Sequence, residues 1–218
     1  MKRKLIILSI IATSSPFVYA DNFQIIPRIG ASLTSYEMSL YSSPNFVEIS
    51  EVGYGVNAGA TLSNGKMLLD LSTELMMIGD DALDITRSEI AVTLGVAVYK
   101  SLYLIGGYRQ AEYGDGAYAN DYGKMDGPFI GISLSGLSMG EDGKDLFDVS
   151  FVLNEVSFKS GNIEQEGAFA DSGTIRIGYR RAGSPHGFGL KYQSYYTEAG
   201  FGGFEDFSAS LTYTYSFY

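Results

Sequence analysis

The sequence predicts an all-β fold, an up-and-down antiparallel transmembrane β-barrel of ten strands. Three observations carry that expectation. Apolar and polar residues alternate with period two along most of the chain, as strands with two unlike faces require. Short and long connections between the alternating runs follow one another strictly, which an up-and-down barrel produces by placing turns at one end and loops at the other. The 218 residues include no cysteine, and after residue 20 no apolar stretch approaches the roughly 18 residues of a membrane helix. Disulfides, thiolate chemistry and Cys-based metal sites are thereby excluded.

The first segment is not part of the barrel. MKRKLIILSIIATSSPFVYA opens with Lys2, Arg3 and Lys4, passes through an apolar core from Leu5 to Ile11 and closes on Val18, Tyr19 and Ala20. This is the layout of a secretory signal, with cleavage expected after Ala20. The apolar core falls well short of the roughly 20 residues that span a bilayer, which argues against a retained anchor helix. Residues 1–20 are read as a cleaved signal peptide and 21–218 as the barrel domain. Cleavage takes the formal charge from −10 to −13. So acidic a balance argues against nucleic acid as a partner.

Ten alternating runs follow, near 22–36, 50–63, 66–78, 85–99, 102–113, 127–138, 146–158, 173–182, 187–197 and 205–218. Their lengths match or exceed the roughly 9–11 residues of a tilted membrane strand. The first run contains Arg28. The second sets Val52, Tyr54, Val56, Ala58, Ala60 and Leu62 against Gly53, Gly55, Asn57, Gly59, Thr61 and Ser63. SNGK then makes a tight Asn-Gly hairpin turn into the third, which carries Asp70 and Glu74. In the fourth, Ile90, Val92, Leu94, Val96 and Val98 alternate with Glu89, Ala91, Thr93, Gly95 and Ala97. YKS leads to the fifth, with Arg109, and MGEDGKD joins the sixth to the seventh. There Phe147, Val149, Phe151 and Leu153 alternate with Asp148, Ser150, Val152 and Asn154. The eighth holds Arg176 and Arg180, AGSPH leads to the ninth with Lys191, and FSASLTYTYSFY completes the tenth. The remaining connections, 37–49, 79–84, 114–126, 159–172 and 198–204, are longer on the whole and rich in Gly, Tyr, Asn and acids.

Alternation alone fits a soluble barrel with an apolar inside as well as a membrane barrel with an apolar outside. Aromatics near the run ends favour the membrane form, because interfacial girdles need them there. Phe23, Phe147, Phe188, Tyr215 and Phe217 are expected at the periplasmic rim, and Tyr36, Tyr54, Tyr108, Phe129, Phe158 and Tyr196 at the outer rim. The polar phase, made of Gly, Ala, Ser and Thr with lone charges, suits a crowded lumen. The chain also stops on its last strand.

YTYSFY at the terminus, LYLIGGYRQAEYGDG and GPFIGISLSG resemble the small outer-membrane β-barrel proteins of Gram-negative bacteria, and the pattern extends over residues 21–218. The resemblance implies an outer-membrane location and, as partners, membrane lipid, lipopolysaccharide and the barrel-assembly machinery. It also implies that the terminal alternation of Leu211, Tyr213, Tyr215 and Phe217, followed by Tyr218, is the signal which that machinery reads. Enzymes among such barrels, the resemblance further implies, work through a His with Ser, Asn or Asp partners.

This chain has a single histidine, His186 of SPHG, expected in a periplasmic turn rather than at a catalytic site. GYGVNAG and GGFEDF lack the strand-to-helix setting and GK[ST] of phosphate loops. No His or Cys spacing suggests a metal site, no cofactor is expected, and a monomer is. Asp80, Asp81 and Asp84 form an acidic loop that either is simply solvated or binds Ca²⁺ or Mg²⁺ weakly.

Charge divides by compartment. The five expected loops, from Glu37, Glu48 and Glu51 to Glu198, Glu205 and Asp206, sum to −14. The expected lumenal set is Arg28, Arg87, Arg109, Arg176, Arg180 and Lys191 against Asp70, Glu74, Glu89 and Asp148. Such charges form either an ion-paired plug or the lining of a narrow aqueous pore. Asp148 and Arg180 are expected to pair near the periplasmic mouth. Three functions compete: a non-catalytic structural or surface-interaction barrel acting through acidic, Tyr-rich loops, a narrow channel for small solutes, and, weakest, an outer-membrane hydrolase.

Overall fold

The computed structural model describes residues 23–42, 45–79, 85–115, 123–139, 142–160, 163–167, 171–199 and 202–217. The signal segment 1–20, Asp80, Asp81, Asp84 and Tyr218 lie outside the described residues. Twelve strands are present: β1 Gln24–Ser42, β2 Asn45–Ser63, β3 Met67–Ile78, β4 Ile85–Tyr99, β5 Leu102–Asp115, β6 Gly123–Met139, β7 Asp145–Asn154, β8 Ser157–Ser160, β9 Ile163–Glu166, β10 Ser172–Arg181, β11 His186–Ala199 and β12 Gly202–Ser216. Ten of them, all but β8 and β9, form the wall of a closed antiparallel barrel. The seam is β12 on β1, in continuous register from Arg28↔Ser216 to Ser42↔Gly202. Closure gives every wall strand a neighbour on both sides, so among the described residues the wall has no open sheet edge.

Four short connections and the two ends of the ring share one end of the barrel, called here the turn end; the other is the loop end. Between β2 and β3, Asn64 Oδ1 accepts from the backbone N–H of Lys66 at 3.0 Å and Met67 at 2.8 Å. Gly65 there has φ 79°, which an L side chain rarely adopts.

Two departures from the expected strands have physical causes. The expected loop 37–49 is mostly strand, since β1 and β2 pair out to Ser42↔Asn45. Period two continues into it, with Met38 and Ile49 facing the buried apolar cluster and Glu37 and Glu48 exposed. The expected run 146–158 is interrupted, because Glu155 and Val156 leave the ladder before β8 resumes against β6 and pairs with β9. The break is satisfied locally: Glu155 N–H donates to Pro128 O at 3.0 Å and Gly167 N–H to Val156 O at 2.8 Å. It also presses the backbone inward, so a Cβ at Gly127 would sit 1.8 Å from Glu155 O.

The outward phase is a belt of exposed apolar side chains running around the barrel, including Leu33, Val56, Leu71, Leu94, Ile130, Phe151, Ile177, Leu190 and Leu211. Phe188, Tyr213 and Phe217 border it at the turn end, and Tyr54 and Tyr108 toward the loop end. Tyr36, Phe129 and Phe158, expected in the outer girdle, are instead buried inside the barrel. Strand parity decides their side: Tyr36 is in phase with lumenal Ser32 and Thr34, and Phe129 with Gly127 and Gly131.

Candidate functional site

Every second residue of ten strands is forced inward, and those side chains fill the lumen in three tiers. At the turn end lies a cavity of about 790 Å³, reaching from Gln24 and Ser216 at its mouth to Glu74, Glu89 and Lys191 at its floor. Arg28 meets Asp70 bidentately, Nη1 to Oδ1 at 2.7 Å and Nη2 to Oδ2 at 2.8 Å. Thr61 Oγ1 joins them, accepting from Arg28 at 2.7 Å and donating to Asp70 at 2.5 Å. Arg176 and Arg180 line the same cavity from β10, and Asp148 from β7.

Asp148 has a local role. β6 shifts register between Leu134 and Leu137, and the bulge turns the Ser135 hydroxyl and the Gly136 N–H toward the carboxylate. Both donate to Asp148 Oδ1 at 2.8 Å. Asp148 stands opposite Gly178, and Arg180 opposite Leu146, so the two charges are offset along the wall. The expected Asp148–Arg180 pair, at similar depth near the mouth, is thus diagonal across β7 and β10 rather than directly opposed.

The middle tier is buried and charged. Lys191 Nζ lies 2.5 Å from Glu74 Oε2, whose Oε1 accepts from Ser32 at 3.0 Å. Arg87 Nη2 is 2.6 Å from Glu89 Oε2, which also accepts from Gln193 at 3.3 Å. Arg87 Nε reaches Asp206 Oδ2 at 3.2 Å, and Tyr113 Oη donates to the same oxygen. Arg109 donates to Thr174 Oγ1 at 3.0 Å and to Tyr195 Oη, with its guanidinium 4.9 Å from the Phe129 ring centroid. Cations with desolvated surroundings gain from such ring faces.

Asp206 is the member that sequence reasoning missed. Expected in an external loop, it is fully buried between Arg87 and Tyr113. The signal was available, because Asp206 shares the polar phase of Ser208 and Ser210 on the last strand.

Above the charges sits an apolar tier at the loop end: Tyr36, Met38, Met76, Ile78, Ile85, Met125, Val156, Phe158 and Phe204 form one buried cluster. Phe158 and Phe204 stack with centroids 4.0 Å apart and planes 4° from parallel. Among the described residues the lumen is thus open at the turn end and filled beyond it.

His186 stands apart from these tiers. It begins β11 at the turn end, exposed, with Nδ1 2.7 Å from Tyr213 Oη. Leu211, Tyr213, Tyr215 and Phe217 lie in the outward phase of the last strand beside the seam, where Phe217 N–H donates to Pro27 O at 2.9 Å.

No protein-family model and no curated protein matches this chain. Solved structures do. The outer membrane protease OmpT from Escherichia coli superposes with a TM-score of 0.54 at 10% identity, covering 94% of this chain and 99% of that one. An outer membrane channel from Pseudomonas putida F1 gives a TM-score of 0.41 at 9% identity, covering 91% and 98%. At such identities the likeness is one of fold. The closed antiparallel ring, its lipid-type outer belt and the OmpT superposition give this chain the fold of the small outer-membrane β-barrel proteins.

Proposed function

We propose that the protein is a non-catalytic, monomeric barrel of the Gram-negative outer membrane, exported by its signal peptide and inserted by the barrel-assembly machinery. Its turn end faces the periplasm, and it acts at the cell surface through acidic, Tyr- and Gly-rich loops set among lipopolysaccharide. The observation that carries this reading is the filled loop half of the lumen beneath a continuous outward apolar belt. A barrel closed in that way holds its loops rigidly without conducting. Glu37, Glu48 and Glu51 stand exposed on the β1 and β2 hairpin, so the surface presented at the loop end is acidic.

The channel reading draws on the cavity of about 790 Å³, which would be half of a pore if the apolar tier moved. The hydrolase reading finds less support: the single His186 is an exposed turn-end residue bonded to Tyr213, remote from the buried carboxylates. Two measurements test the proposal. The processed protein should fractionate with outer membranes and migrate anomalously on gels when unheated. In planar bilayers it should show no steady ion current. Recovery from the soluble periplasm would defeat the location, and steady current would defeat the closed barrel.

A further inference from the structure

The cavity at the turn end has acids that are already engaged and one cation with an orphaned donor. Asp70, Glu74, Glu89 and Asp148 line it, and each already accepts at least two hydrogen bonds. Arg28 and Lys191 are engaged with two of these carboxylates. Arg176 differs. Its Nε is buried with no hydrogen-bond partner, and among the described residues with such an orphaned atom it is the one that also lines the cavity. It lies directly opposite Lys191 on β11 and Ser150 on β7, and like charges facing across a ladder repel. Glu89 reaches Arg176 through its field, but Glu89 Oε2 is held by Arg87 and Gln193. What this wall needs is an acceptor.

Glycines keep part of the approach to Arg176 low, beside the Arg180 and Asp148 side chains that line the same cavity. Gly178 and Gly187 both line the cavity, and a Cβ at either would meet nothing nearer than 3.5 Å. A groove therefore leads from the mouth along β10 and β11 to the guanidinium. We propose that the cavity binds a small polar solute bearing a carboxylate or phosphate, which Arg176 holds by charge-assisted hydrogen bonds with Ser150 and Lys191 beside it. A cavity of this size accommodates a ligand of ordinary metabolite dimensions. Because the tiers above are filled, the solute binds and leaves by the same mouth.

The test uses the full barrel folded in detergent micelles, and it does not depend on where the protein resides. Inorganic phosphate and citrate are titrated by calorimetry against sodium chloride of matched ionic strength. Two variants lie in the cavity, Arg176→Gln and Gly187→Val, the second filling the groove without removing a charge. Arg181→Gln is the control, since Arg181 is exposed and engaged with Asp142 at 3.3 Å. Heat-modified gel migration checks that each is folded. We expect saturable binding of citrate or phosphate, whichever source the site prefers, in the wild type and Arg181→Gln. It should weaken by about tenfold or more in Arg176→Gln and similarly in Gly187→Val. No saturable heat above the chloride control overturns the proposal, as does equal binding in the folded cavity variants.

Discussion

Asp148 faces the lumen, and one oxygen of its carboxylate, Oδ1, holds the β6 bulge through Ser135 and Gly136. That separates two substitutions which an ion-pair role would not. Asp148→Asn keeps an oxygen for both donors and should cost little, whereas Asp148→Ala leaves both without an acceptor and should cost about 1–3 kcal/mol. Urea unfolding of the barrel in lipid measures both. If Asn proves as harmful as Ala, charge rather than acceptance is what matters there. Lys191 and Glu74 present the opposite case, a close and nearly buried pair at the floor of the cavity. Lys191→Met should destabilise by roughly 3–5 kcal/mol because it strands a buried carboxylate. Adding Glu74→Gln should recover part of the loss, and a double-mutant cycle reads that coupling.

At the scale of the strand, period two makes most of the fold legible in the sequence. The outward phases of the second, fourth, seventh and tenth runs are the outward faces of β2, β4, β7 and β12. Leu94 is exposed in the middle of β4, so Leu94→Arg should lower barrel stability by about 2–4 kcal/mol near the bilayer midplane. Thr93→Arg should be milder, since Thr93 stands opposite Asp70 on the lumenal face; comparable losses at both positions would contradict the facing. Legibility is partial where the ladder is irregular. The register shift at β6 does leave a trace, since the apolar phase passes from Ile130, Ile132 and Leu134 to Leu137 and Met139 across Gly136, at φ 68°; the break at Glu155 and Val156 leaves none, being settled by contacts with neighbouring strands. The break makes a further demand on Gly127, where a methyl would collide with Glu155 O. Gly127→Ala should therefore loosen the loop end of β7 and β8, read as faster hydrogen exchange in residues 152–160 with the turn end unchanged. Residue type also misleads: Tyr36, Phe129 and Phe158 are aromatics near strand ends, as a girdle requires, yet parity sends them inward.

For the molecule as a whole, the arrangement of the lumen matters more than its composition. Six cations and four carboxylates read from sequence alone as either plug or pore, and only their three-dimensional layering, with Asp206 as a fifth carboxylate, distinguishes these. The layering places two obstructions in series, the apolar cluster around Phe158 and Phe204 and the charged tier of Arg87, Asp206 and Tyr113. Obstructions in series conduct no better than the tighter one. Phe158→Ala with Phe204→Ala should therefore weaken the barrel, by roughly 3–5 kcal/mol for each ring if the losses are independent, and still pass no steady current. Current should appear only when Arg87→Ser and Tyr113→Ser are added, leaving Asp206 to be hydrated by the water that the widened bore admits. Planar-bilayer recordings of the wild type, the double and the quadruple variant give the order of events. Steady steps from the double variant would show that the charged tier is already permeable, and the apolar cluster would then be the whole of the gate.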